Sequence, residues 1–336
     1  MVAQVRARAL TNYVQVARFV GLDPYEMLRR AEISPLALEE PDNLIAARAV
    51  GNLLHDSALA SNCPQFGLLL AESRSLASLG PISLLLSLQG NARGVLEAMV
   101  RYQMVMNEVI VLGTEEAGGE TIIRAGLSGA YRQQSVELLM GMICRMISEV
   151  VSGRWHPDCA HFTHEAPPDL AVHRRVFQCP LIFESDFNGF VCATASLDAP
   201  NPAADSVMAR HAQRYLEMLV PDAAGSLTEQ ARRALYLLLP AGKASVEASA
   251  DNLGLHPRAL QRALEREGRT FAMLLNEVRR ELALRYLSNS AHSITLIAHM
   301  TGYASPSSFT RWFTGEFGVA PAQWRAEERA EAARAA

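Results

Sequence analysis

The stretch Ile294-Thr-Leu-Ile-Ala-His-Met-Thr-Gly-Tyr-Ala-Ser-Pro-Ser-Ser-Phe-Thr-Arg-Trp-Phe313 decides how the end of this chain folds. Ile294, Ile297 and Ala298 recur at helical spacing and define one inward face. Gly302 permits the left-handed turn that ends a helix, and Ser305-Pro306 supplies a cap and a residue pre-set for the first helical position. The next helix turns Phe309, Trp312, Phe313 and Phe317 inward and leaves Ser307, Arg311 and Thr314 on the opposite face. The plan is two short helices across a tight turn.

The same plan occurs 48 residues earlier, in VEASADNLGLHPRALQRALEREG (246–268). Val246, Ala250 and Leu253 face inward, Gly254 turns the chain, and Pro257 opens the second helix. There Leu260, Ala263 and Leu264 point inward, while Arg258, Gln261, Arg262 and Glu265 share the outer face. Between the units Phe271, Leu275, Val278, Leu282 and Tyr286 mark one long amphipathic helix, which would hold the units at a fixed separation.

These residues resemble the AraC/XylS family of bacterial transcription regulators: Ala250 to Arg262, Ala298 to Phe313 and the closing Gly-Val-Ala-Pro-Ala-Gln-Trp-Arg (318–325) carry the likeness. The resemblance implies a sequence-specific regulator whose two recognition helices enter successive major-groove segments of double-stranded promoter DNA, about one duplex turn apart. Carried onto this chain, the base-reading positions fall on Arg258, Gln261 and Arg262 in the first unit and on Ser307, Ser308 and Arg311 in the second. Arginine can pair with guanine O6/N7 and glutamine with adenine N6/N7, whereas an ordinary solvated helix face would carry the same residue types without that role. One departure from the family pattern is His256, where a serine cap is usual, so a looser start to that helix is expected.

Working outward, 336 residues suit two domains, and 49% apolar against 20% charged residues suits a globular chain. The net charge of −4 divides unevenly: from Ser226 onward 14 Lys+Arg face 11 Asp+Glu, and before it 17 face 24. The basic excess thus sits with the doubled unit, as nucleic-acid binding requires, and the acidic part is a better partner surface than DNA surface. Dimerisation through the N-terminal part is expected on that ground. The expected division is a sensing and dimerisation domain over 1–200, a Pro-marked linker over 201–225, the DNA-binding domain over 226–329 and a tail over 330–336.

The N-terminal part reads as helices at 3–19, 24–31, 46–60, 66–73 and 92–106, then strands at 109–112 and 121–125. A helix at 133–151 and strands at 159–163, 181–184 and 189–192 complete a small, largely antiparallel sheet. The fold class is mainly α, with a small α+β sensor domain ahead of an all-α domain of two helix-turn-helix units joined by a long helix. Gly21 to Ile33, Phe66 to Ala71, Leu79 to Ile82 and Val100 to Tyr102 resemble the regulator subgroup whose sensor domain is of the arabinose-binding type rather than a cupin. That likeness implies a small-molecule effector. Arg101, Tyr102, Met104 and Met106 are cavity candidates, but methionines at helical spacing also serve as core, and the pocket is unassigned.

The five cysteines are scattered without a C-x-x-C pair and read as free thiols, most of them buried. Cys159, His161 and His164 lie on an expected strand and its exit, where their side chains should diverge, so no metal site and no cofactor is expected. Competing readings are a haem or gas sensor with the same DNA-binding output, and an alkyl-transfer repair enzyme. The latter needs an activated thiol, and Cys192 in Phe-Val-Cys-Ala-Thr has no basic neighbour in sequence. No hydrolase, nucleotide-binding or zinc-protease motif occurs, so no enzymatic activity is expected. No signal peptide or spanning segment is legible and the cytoplasm is the expected address, with RNA polymerase a partner if the output is activation.

Overall fold

The computed structural model describes residues 3–129, 131–219, 226–289 and 292–335. The described chain divides into two compact units: one holds most of the chain through the helix Ser206–Leu219, and the other is built chiefly from residue 226 onward.

The first unit opens differently from the helix expected over 3–19. Gln4–Arg6 is a strand paired antiparallel with Leu44–Ala46, in register Val5 opposite Ile45. Both of these residues are buried, and that pairing outweighs helical propensity in a run this short. A 3-10 turn, Ala7–Leu10, follows, and Asn12 in the left-handed region (φ 64°) separates it from the helix Tyr13–Phe19. The helices Pro24–Arg30, Ala47–Ala60 and Phe66–Glu72 stand where the periodicity puts them. The first is capped by Asp23, whose carboxylate accepts from the amides of Tyr25 and Glu26.

The helix expected over 92–106 is two helices, Ala92–Arg101 and Gln103–Met106. Its break is caused from outside the helix. The Gln103 side chain accepts from Leu112 N at 2.8 Å and donates to Leu112 O at 3.3 Å, tying the second piece to the first long strand. That strand, Ile110–Ala117, pairs with Glu120–Leu127 in a sheet that continues through Gly189–Ala193, Cys159–His161 and Leu181–Ile182. All pairings are antiparallel except that of the last two strands.

Helix Gln133–Val150 forms the spine of this unit. It crosses Phe66–Glu72 so closely that a Cβ on Gly67 would stand 2.2 Å from Gln134 O, which is why that position is glycine. The Gln134 side chain seals the crossing by accepting from Gly67 N at 2.7 Å. Helix Ser206–Leu219 occupies most of the stretch expected as linker; it buries Ala212 and Leu216 and packs on Ile82–Ser87, so the first unit runs past residue 200. The remainder of the expected linker, 220–225, lies outside the described residues.

The second unit is all helical. Leu227–Leu238 begins with a capping box in which Ser226 accepts from Glu229 N and the Glu229 carboxylate accepts from Ser226 N. Two helix pairs follow, Val246–Asn252 with Pro257–Arg266, and Ile294–Met300 with Pro306–Phe317, separated by Phe271–Asn289 and closed by Pro321–Ala335. No helix among the described residues is long and apolar enough to cross a membrane.

Candidate nucleic-acid interface

Each helix pair is a helix-turn-helix built by the same local chemistry. Ser245 and Ser293 cap the leading helices through their hydroxyls, which accept from Ala248 N and Leu296 N. Gly254 (φ 65°) and Gly302 (φ 76°) make the turns. The two glycines differ in their surroundings. A Cβ at Gly254 would meet nothing within 4 Å, whereas one at Gly302 would stand 3.0 Å from Leu239 Cδ2 and 3.4 Å from the Arg279 guanidinium. Only the second turn is therefore pinned by packing as well as by backbone conformation.

The trailing helices are seated by apolar side chains. Leu260 and Leu264 are fully buried in the first helix-turn-helix, and Phe309 and Phe313 in the second. Trp312 is half-buried rather than buried, because its indole donates to Asn276 Oδ1 at 2.8 Å and so ties the second trailing helix to the long one. Glu316 adds a second tie, accepting from Asn276 at 3.2 Å and from Arg280 at 2.6 Å. On the long helix Leu274, Val278, Leu282, Ala283, Tyr286 and Leu287 are buried. The sequence reading selected Phe271 and Leu275, which are half-buried, and missed Leu274.

His256 caps the first trailing helix through its imidazole, Nδ1 accepting from Arg258 N at 3.3 Å. Ser305 does the same for the second by accepting from Ser308 N at 3.2 Å. The two contacts are nearly equal in length, one accepted by a ring nitrogen and the other by a hydroxyl.

The outer faces carry the residues singled out from sequence. Arg258, Gln261, Arg262, Ser307, Ser308 and Arg311 are all exposed. Ser307 and Arg311 share one open face with Thr310 and Thr314, while the Ser308 hydroxyl lies 3.0 Å from that of Ser305 and belongs to the cap. Thr310 was passed over, although its spacing of three from Ser307 was the available signal.

Charge pairing separates these faces from their scaffold. Arg232 pairs with Glu281, Arg269 with Glu277 and Arg280 with Glu316, and Arg279 stacks 4.9 Å from the Tyr303 ring. Arg258, Arg262 and Arg311 hold no ion pair among the described residues. Arg232, Arg269 and Arg280 of the scaffold are thus neutralised by carboxylates, whereas Arg258, Arg262 and Arg311 on the trailing helices present guanidinium forks to solvent, the geometry that phosphate and guanine recognition use.

Residues 21–201 match the family described as the arabinose-binding domain of AraC transcription regulators, N-terminal, and residues 249–327 match a helix-turn-helix domain family. The chain is 31% identical to the HTH-type transcriptional regulator VirS of Mycobacterium tuberculosis, over 96% of each chain. It belongs to the AraC family of transcription regulators. The ornithine utilization regulator of Pseudomonas aeruginosa is 23% identical over 91% of each chain. The solved transcriptional regulator CdpR of Pseudomonas aeruginosa superposes with a TM-score of 0.44 at 19% identity, over 90% of this chain and 96% of that one. As a member of this family, the chain is a DNA-binding transcription regulator with an N-terminal domain of the ligand-binding type.

The other candidate residues of the regulator fall into place separately. Cys159 Sγ lies 3.3 Å from His161 Nε2, because residues two apart on a strand share a face; the expectation that they diverge is corrected. His161 Nδ1 also meets Ser185 Oγ at 2.9 Å and its ring stacks on Phe187, so the histidine is engaged locally, and His164 is buried. All five cysteines are free, two buried (Cys144 and Cys192) and three half-buried, fewer buried than expected. Burial pushes every thiol up, Cys144 and Cys179 to about 12, which is the reverse of what a nucleophilic cysteine needs. Of the cavity candidates, Met106 lines a cavity, whereas Tyr102 donates to Glu217 at 2.9 Å and Arg101 pairs with the same carboxylate at 3.5 Å.

Proposed function

We propose that the regulator reads its promoter with two separate boxes: Arg258, Gln261 and Arg262 contact bases in one major-groove segment, and Ser307, Ser308 and Arg311 contact bases in the next. The observation that supports this most is that, among the described residues, Arg258, Arg262 and Arg311 hold no ion pair while Glu277, Glu281 and Glu316 of the scaffold are each paired with an arginine. The DNA-binding domain in this reading is 226–329 and the sensor domain precedes it. Arg262→Ala and Arg311→Ala are each expected to weaken binding to the specific site by about 1 to 3 kcal/mol, with specificity relaxed at different base pairs. Binding titrations against site libraries and random DNA check this. Equal losses on both would make these arginines phosphate contacts and remove the assignment.

The sensor domain, in the same proposal, binds a small-molecule effector and joins two chains in a homodimer, and RNA polymerase is engaged if the output is activation. Sedimentation of the full chain at micromolar concentration is expected to give twice the mass of one chain. A single-chain mass with and without DNA would remove the dimer. The chain is not proposed to be an enzyme, since no cysteine has the lowered pKa that alkyl transfer requires. A Soret band in the purified protein would favour the haem-sensor reading instead.

A further inference from the structure

Arg74 is buried at 4% exposure, and its guanidinium meets only neutral acceptors: Thr11 O at 3.3 Å, Ala9 O, and Met142 Sδ at 3.0 Å. No carboxylate among the described residues pairs with it. A buried guanidinium without a counter-charge is costly, and an anion arriving beside it would offset that cost. Burial alone pulls its pKa down to about 9, which still leaves it charged at neutral pH. Beside it stands Arg8, nine-tenths buried, donating to Leu79 O at 2.7 Å and pairing with Asp42 at the surface, while its Nε has no hydrogen-bond partner.

Both arginines line one narrow, partly open cavity of about 80 Å³ inside the first unit. Its other walls are mostly apolar, with Val50, Leu54, Leu127 and Leu139 among them and Ser78, Asn107, Tyr131 and Ser135 as the polar exceptions. A sugar carries a hydroxyl on almost every carbon and would leave most of them unpaired against such walls. Asp42 is shared by Arg6 and Arg8 near the surface, whereas Arg74 has no carboxylate of its own and offers its guanidinium fork to an arriving carboxylate.

We propose that this cavity is the effector site and takes a monocarboxylate with an apolar body, such as a medium-chain or aryl-alkyl acid, its carboxylate on Arg74 and its body against the leucine and valine walls. The assignment rests on the reading of the first unit as an effector-sensing domain. Arg74 lies on the turn after helix Phe66–Glu72, which packs on the spine Gln133–Val150, so an anion on Arg74 is coupled to the central helix of the unit.

The test is calorimetric titration of the full chain with sodium octanoate, well below its micelle concentration, and with 4-phenylbutyrate, 1-octanol and L-arabinose. Saturable binding of an acid at one site per chain is expected, with octanol at least tenfold weaker and arabinose silent. Arg74→Met should weaken the acid by about ten- to a hundredfold while leaving octanol unchanged. Because that variant also loses the ties to Ala9 and Thr11, Ser78→Phe is the second arm: Ser78 lines the cavity but is half-buried, and a phenyl ring there fills the cavity while Arg74 itself is kept. Loss of acid binding in a folded Ser78→Phe supports the site. Equal affinity for octanoate and octanol, or unchanged acid binding in both variants, overturns it. A gel shift separates the two readings. Acid binding without any change in DNA affinity retains the site and removes its regulatory role, whereas a DNA response to arabinose alone retains the regulator and removes this ligand class.

Discussion

Leu264→Asp is expected to abolish specific DNA binding together with the fold of the first helix-turn-helix unit. Leu264 and Leu260 are both fully buried, and they hold the helix Pro257–Arg266 against Val246–Asn252 and Leu227–Leu238. An aspartate there removes the apolar contact and forces a carboxylate either to ionise in an apolar site or to protonate, at about 4 kcal/mol or more. Against a total stability of about 5 to 15 kcal/mol for a domain, such a loss leaves a large unfolded fraction. Far-ultraviolet circular dichroism should show lower helicity and an early melting transition, and DNA binding should fail on every sequence. Gln261→Ala, on the exposed face of the same helix, should melt as the parent does. A native melting curve for Leu264→Asp would mean that this helix is not seated as described.

Phe313→Ala is expected to have the second largest effect, on the other unit. Its ring is fully buried and lies 4.4 Å from Phe317, 5.7 Å from Phe309, 6.3 Å from Trp312 and 6.4 Å from Trp324. Removing the ring from this aromatic cluster opens a cavity that the stiff neighbouring rings cannot fill, at about 3 to 5 kcal/mol. Trp312 and Trp324 report on it directly: their fluorescence should shift to longer wavelength at temperatures where the parent is still folded. The first unit's Trp155 is buried elsewhere and supplies an unshifted background. Fluorescence and stability unchanged from the parent would show that the cluster is not the core of this unit.

The two experiments probe the part of the molecule that local sequence describes best. A cap, a glycine turn and a period of three to four are interactions among residues a few positions apart, so Gly254, Gly302 and Ser305 could be assigned their conformations from sequence alone. The doubling of the unit added a second reading of the same pattern. The exposed faces followed from the buried ones by subtraction, which is why all six residues proposed to read bases are exposed, with Ser308 displaced into a cap.

Where sequence reasoning failed, the deciding partner was distant along the chain. Residues 4–6 read as helix because the strand that claims them, Leu44–Ala46, lies some forty residues on. The break at Tyr102 comes from the side chain of Gln103 clamping Leu112. The meeting of Arg8 and Arg74 in an apolar cavity has no signature in either neighbourhood, since Arg74 sits in an ordinary polar turn and Arg8 in a short mixed run. Periodicity records which face of an element is apolar. It carries no record of which elements meet, and the charge left uncompensated when they do is decided by tertiary packing alone.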